Sequence, residues 1–114
     1  MEKLLVGYDG SAPAREAVRT AAVLAQRLRG TVTVLTVGQL IMATGTGVFP
    51  AVNEASFQPI AEEGAAVAQA LGVPTDVRAR LGDPADVLAQ VAADEGYDLI
   101  VVGHRGVGGF KGLL

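Results

Sequence analysis

The sequence predicts an α/β fold, with a parallel sheet between two layers of helix. Three observations carry that prediction. Short apolar or β-branched runs alternate with segments of helical period. Caps, prolines and glycines sit where each run gives way to the next. Two of the runs, 4–6 and 99–102, are apolar throughout, the pattern of parallel strands covered on both faces.

Lys3, Leu4, Leu5, Val6, Gly7 and Tyr8 form the first strand, and Asp9-Gly10-Ser11 turns it. From Pro13 the period becomes helical. Ala14, Ala17, Val18, Ala21, Ala25 and Leu28 make one stripe; Arg15, Glu16, Arg19, Gln26 and Arg27 lie opposite. Ser11 is placed to cap this helix, Pro13 suits its first turn, and Gly30 is the expected stop. The β-branched run 31–37 is a second strand. Residues 38–53 hold three glycines, two threonines and a proline, and read as a long loop of the functional or disordered kind. A helix follows from Phe57 or Gln58 to Leu71, closed by Gly72.

The next strand alternates. Val77, Ala79 and Leu81 face one way, while Asp76, Arg78 and Arg80 face the other as a solvated strand face near a sheet edge. Asp83 and Pro84 open the third helix, Val87, Leu88, Val91 and Ala92 form its buried stripe, and Gly96 ends it. The 98–102 strand then empties into the glycine-rich stretch 103–112. The order is βαβαβαβ, and right-handed crossovers leave few topologies. The two fully apolar strands are expected to be central neighbours.

Composition excludes several functions. The 114 residues suffice for one domain with a sizeable core. There is no cysteine, so disulfides and thiolate metal sites are ruled out. The single histidine, His104, cannot build a multi-histidine metal site within one chain. A net charge of -3 leaves no basic footprint for nucleic acid. Three Phe, two Tyr and no Trp offer few stacking platforms for single strands. The chain opens directly into a strand, and no apolar stretch approaches the roughly 20 residues that span a bilayer. A soluble, cytoplasmic protein without membrane or nucleic-acid partners is expected.

In an open parallel sheet, ligands sit beyond the carboxyl ends of the strands, where the strand order switches. The two most apolar strands end in Tyr8-Asp9-Gly10-Ser11 and Gly103-His104-Arg105-Gly106. As neighbours, they would set these loops across one crevice. Glycines directly after a buried strand let backbone N–H groups curl inward as a phosphate cradle. The pair therefore points to a nucleotide. Plainer readings stand beside it: Asp9-Gly10-Ser11 serves equally as turn and cap, and Arg105 as a solvated loop charge. His104 has no partner to activate it. No complete G-x-G-x-x-G fingerprint or G-x-x-x-x-G-K-[ST] loop passes through the C-terminal glycines. Ser11 lies in no G-x-S-x-G elbow.

On these residues the chain resembles the universal stress protein family, of the adenine-nucleotide α-hydrolase-like fold. The resemblance spans the chain. It includes Leu5-Val6-Gly7-Tyr8-Asp9-Gly10-Ser11, the strand ending at Val37, Leu81-Gly82-Asp83-Pro84-Ala85, and Asp98 through Gly106. The family's nucleotide motif reads G-x2-G-x9-G-[ST], and Gly103 and Gly106 match its first half. The resemblance implies a three-layer α/β/α sandwich with a parallel sheet of strand order 3-2-1-4. It implies ATP as ligand, with Mg or Mn brought by the triphosphate rather than held in a protein cage. Asp9 would sit beside the adenosine or the metal–phosphate group, and Val37 would meet adenine through its backbone. Val102 and Gly103 would line the ribose and phosphate side, and Gly106 would offer N–H groups to phosphate. Tyr8, Gly10, Ser11 and Arg105 complete the expected site.

The second half of the motif would fall past Leu114, with a Ser or Thr at position 117. In the family a further helix and a fifth strand follow, and dimers commonly pair through that strand. Residues 1–114 are thus expected to be one domain lacking its C-terminal helix and strand, and the full-length protein a homodimer. Strand 99–102 would then be a bare apolar edge. The expected function is ATP binding by a regulatory module of the stress response. No general base or activated nucleophile is evident, so any chemistry would be slow ATP hydrolysis. Two alternatives stay open. One is a nucleotide-hydrolysing enzyme of the same superfamily, against which the first loop lacks an S-G-G-x-D-S pattern. The other is an interaction scaffold that binds no nucleotide.

Overall fold

The computed structural model describes residues 2–39 and 53–103. Its elements are β1 (Lys3–Gly7), α1 (Ala12–Leu28), β2 (Thr31–Gly38), a 3-10 turn (Glu54–Phe57), α2 (Gln58–Ala70), β3 (Thr75–Leu81), α3 (Pro84–Glu95) and β4 (Leu99–Val102). The strands form one parallel sheet in the order β3-β2-β1-β4. The chain builds outward from β1 to β3, then crosses back to place β4 on the other side of β1. The strand order therefore switches between β1 and β4.

Side chains alternate between the two faces of the sheet. Leu4, Val6, Val32 and Val34 pack with the alanine-rich faces of α1 and α2. Leu5 and Leu35 point the other way, onto Leu88 and Val91 of α3. All six strand residues are fully buried, each contributing roughly 1.5–3 kcal/mol of apolar transfer. Alanines 14, 17, 21, 22 and 25 leave α1 little side-chain bulk facing the core.

Local chemistry sets the helix ends. The Ser11 hydroxyl accepts the Ala14 N–H at 3.2 Å, and the Asp83 carboxylate accepts the Asp86 N–H at 3.1 Å. Gly96 closes α3 in the left-handed region (φ 70°). At the end of α1 the structure corrects the expected stop. Arg29, not Gly30, takes the left-handed conformation (φ 56°). Gly30 is needed for another reason, since a Cβ there would collide with the Glu2 carbonyl. Leu28 also departs from the expected stripe and is 44 % exposed. The chain is already reversing at that level, with the Gly30 N–H bonded to the Ala25 carbonyl at 2.8 Å.

Arg78 and Arg80 are not a free solvated face. Both are half-buried: Arg78 pairs with Glu95 of α3 at 2.9 Å, and Arg80 lies 3.9 Å from Glu54. The β4 strand is less covered than an all-apolar run suggests. It pairs with β1, and Val101 packs on the α1 side, but Leu99, Ile100 and Val102 are 43, 40 and 57 % exposed. Among the described residues no strand pairs with its outer edge. Its start is clasped to β1. The Lys3 N–H donates to the Asp98 carboxylate and the Asp98 N–H to the Lys3 carbonyl, both at 2.8 Å. The Lys3 ammonium reaches the Glu95 carbonyl at 2.7 Å and lies over the Tyr97 ring.

Candidate functional site

A cavity of about 280 Å³ opens at the carboxyl ends of β1, β2 and β4, at the switch in strand order. That size is at the small end of the roughly 300–1,000 Å³ range of ligand pockets. Its walls are apolar: Leu35 and Val37 of β2, Pro84 and Leu88 of α3, and Val102 of β4. Polar groups sit on the β1–α1 loop, at Asp9 and Ser11, and just past β2, at Gln39.

Local packing explains this shape. A Cβ on Gly7 would stand 2.9 Å from the Leu88 side chain, so the bare backbone of β1 lets α3 close one wall. Gly10 (φ 87°) reverses the chain after Asp9. The Asp9 carboxylate then accepts the Ser11 N–H at 2.9 Å, and Ser11 caps α1. The positive end of the α1 dipole is thereby turned to the cavity, where Ser11 and Ala14 line it. Across from it, β4 ends hard against α1. A Cβ on Gly103 would lie 2.6 Å from the Pro13 backbone and 2.7 Å from the Ala14 nitrogen.

Tyr8 is held from all sides. Its N–H donates to the Leu35 carbonyl and its own carbonyl accepts the buried Thr36 hydroxyl, both at 2.9 Å. Its phenol donates to the Glu63 carboxylate at 2.5 Å, and Arg15 approaches that carboxylate at 3.3 Å. Burial pushes the Tyr8 hydroxyl above the ordinary tyrosine value, and the Glu63 charge adds to the rise. The donated phenol hydrogen bond holds the Glu63 carboxyl below its ordinary range, aided by Arg15.

Tyr8, Asp9, Ser11, Val37, Val102 and Gly103 all line this one cavity. Gly10 shapes the turn between two of them without lining it. Arg105, Gly106 and His104 lie outside the described residues. Sequence reasoning missed Leu35, Pro84, Leu88 and Gln39. A signal for two of them was present: Leu35 shares a strand face with Val37 two residues on, and Pro84 opens a helix directly after a strand's carboxyl end. Among the described lining residues Asp9 is the one charged group. Among the described residues no group of three or more His, Asp or Glu could hold a metal, and no helix is long and apolar enough to cross a membrane.

A parallel α/β/α sheet with a crevice at its switch point has the build of a ligand-binding doubly wound domain. The model of the universal stress protein family matches residues 1–114, and the chain belongs to that family. No curated protein matches it. Solved structures do. A universal stress protein in complex with cAMP is similar at 22 % identity and a TM-score of 0.74, over 93 % of this chain and 78 % of that one. A universal stress protein family member from Burkholderia pseudomallei shares 28 % identity at a TM-score of 0.66, over 95 and 85 % of the two chains. The universal stress protein from Archaeoglobus fulgidus in complex with dAMP shares 21 % identity at a TM-score of 0.71, over 92 and 82 %.

Proposed function

We propose that this protein binds an adenine nucleotide at the carboxyl ends of β1, β2 and β4 and acts as a regulatory module. The observation that carries the proposal is convergence: Tyr8, Asp9, Ser11, Val37, Val102 and Gly103 are separated in sequence and line one apolar-walled cavity. Structural relatives in complex with cAMP and dAMP support the choice of an adenine ligand. In this reading the base lies against the β2 wall and meets the Val37 backbone. Asp9 accepts hydrogen bonds from the ribose or faces the metal of a metal–triphosphate. The phosphates run toward the α1 N-terminus and Gly103, where Arg105 and the Gly106 N–H would meet them. ATP is the nucleotide the family resemblance favours. A cytoplasmic role in the stress response and a homodimeric full-length protein belong to the same proposal. So do a further helix and a fifth strand following residue 114, supported by the exposed apolar β4.

Calorimetric titration of AMP, ATP and GMP tests this, using the 114-residue chain and a version extended at its C-terminus. Saturable binding of AMP or ATP, weaker for GMP, is expected of the extended chain. Gly106→Val should weaken it by placing a side chain where phosphate approaches. Failure of both chains to bind any adenine nucleotide would overturn the proposal.

A further inference from the structure

The β1–α1 loop carries Asp9 and Ser11, yet its only wholly buried side chain is Tyr8, 3 % exposed. Tyr8 reaches away from the cavity toward α2. Its ring lies so close to α2 that a Cβ on Gly64 would stand 2.7 Å from it, and its hydroxyl bonds Glu63 of the same helix at 2.5 Å. Arg15, four residues past Ser11 on α1, approaches the same carboxylate oxygen at 3.3 Å. One carboxylate of α2 thus ties both ends of the loop that bears Asp9. The same helix is preceded by Phe57, whose ring lies where a Cβ on Gly38 would be, at the end of β2 beside Gln39. Helix α2 contributes no residue to the cavity lining, but α2 and the turn before it pack against the ends of two strands that do.

We infer that Glu63 is a positioning residue for nucleotide binding, acting through Tyr8 and Arg15 to hold the Asp9–Ser11 turn in its binding geometry. This rests on the nucleotide reading above. A donor–carboxylate bond of this kind is directional and charge-assisted, so it restrains orientation as well as distance. The apolar packing of the Tyr8 ring on Gly64 is a separate contribution, and it survives when the hydroxyl alone is removed.

That separation makes the test specific. Tyr8→Phe keeps the ring and deletes the hydroxyl; Glu63→Gln keeps the shape and deletes the charge. Each is expected to weaken AMP binding by the extended chain about three- to tenfold, and the double variant no more than either alone. Glu95→Gln, which breaks the Arg78 pair on the opposite face of the sheet, is the control: it lowers melting temperature without changing AMP affinity. In the ligand-free protein, amide hydrogen exchange at Tyr8 and Ser11 should quicken in Tyr8→Phe and Glu63→Gln, with α3 amides unchanged. Unchanged exchange at both amides overturns the inference whether or not AMP binds. So does unchanged AMP affinity with only a lower melting temperature. Faster exchange in a protein that binds no AMP would keep the positioning role and reject the nucleotide reading instead.

Discussion

Replacing Gly103 by alanine isolates the contact that brings β4 against α1. The backbone of Gly103 lies outside the left-handed region, so alanine is conformationally acceptable there. All of the cost must therefore come from what the new methyl meets. It would stand 2.6 Å from the Pro13 carbonyl carbon and oxygen and 2.7 Å from the Ala14 nitrogen, which are backbone atoms that cannot rotate away. Ordinary contact begins at 3.4 Å, so β4 and the first turn of α1 must part by about 0.8 Å. Overpacking of this kind costs about 1–3 kcal/mol. A midpoint of about 2 kcal/mol corresponds to a fall of roughly 8 °C in melting temperature for a domain of this size. Urea unfolding followed by circular dichroism, together with a thermal scan, measures both. The same movement displaces the α1 N-terminus from the cavity, so nucleotide affinity should drop in parallel. A variant within about 0.5 kcal/mol of the parent would refute the close approach and return Gly103 to the role of a phosphate-cradle glycine alone.

Thr36→Val should cost about 1–2 kcal/mol, because it leaves the Tyr8 carbonyl without its buried hydroxyl donor; denaturant melts would read it, and a neutral result would contradict that bond. The carboxyls of Glu63 and Glu95 are both held below the ordinary 4.5, first by hydrogen bonds from Tyr8 and Arg78 respectively. Depressed acids favour the folded state when ionised, so their contribution is present above about pH 4.5 and is lost as pH falls through the lowered values. Melting temperatures at pH 7 and pH 3 should therefore differ less in Glu95→Gln than in the parent. Leu99→Lys, at a residue 43 % exposed, should leave stability within about 1 kcal/mol and reduce light scattering at high concentration by charging the sheet edge. A large loss of stability would show that this edge is covered in solution.

Most of the architecture was legible because each element announced itself twice, by period and by its ends. Ser11 and Asp83 cap the helices they were expected to cap, and the alternation of β3 placed it at an edge. What sequence could not supply was the neighbour on the other side of a residue. Gly30 looked like a helix stop, but its constraint is the Glu2 carbonyl, 28 positions away in sequence, and Arg29 takes the strained angle instead. Arg78 and Arg80 looked solvated because their partners, Glu95 and Glu54, sit on other elements. For the site, the carboxyl-end rule set Tyr8–Ser11 and Gly103 across one crevice, and Tyr8, Asp9, Ser11 and Gly103 line the cavity, while residues 104–106 lie outside the described residues. Leu88 was read as core alone; it also walls the cavity, because Gly7 lets it approach. Glu63 carried no signal at all, since an acidic residue on an exposed helix face is ordinary until Tyr8 is found beneath it.

The pairing of β1 with β4 joins two ends of the described chain. β1 can zip to β2 once α1 has formed, a separation of about 28 residues. Its other neighbour is 95 residues further along the chain, as Leu4 and Leu99 mark. Closing so long a loop is entropically slow, and contacts of this range dominate folding time. The cavity lies between the ends of these strands, so its Val102 and Gly103 side depends on the longest-range pairing in the sheet. A chain paused with β3-β2-β1 assembled would carry Asp9 and Val37 and still have nothing to close on. A ligand spanning the cavity would bridge this long-range pair and stabilise the folded chain by mass action.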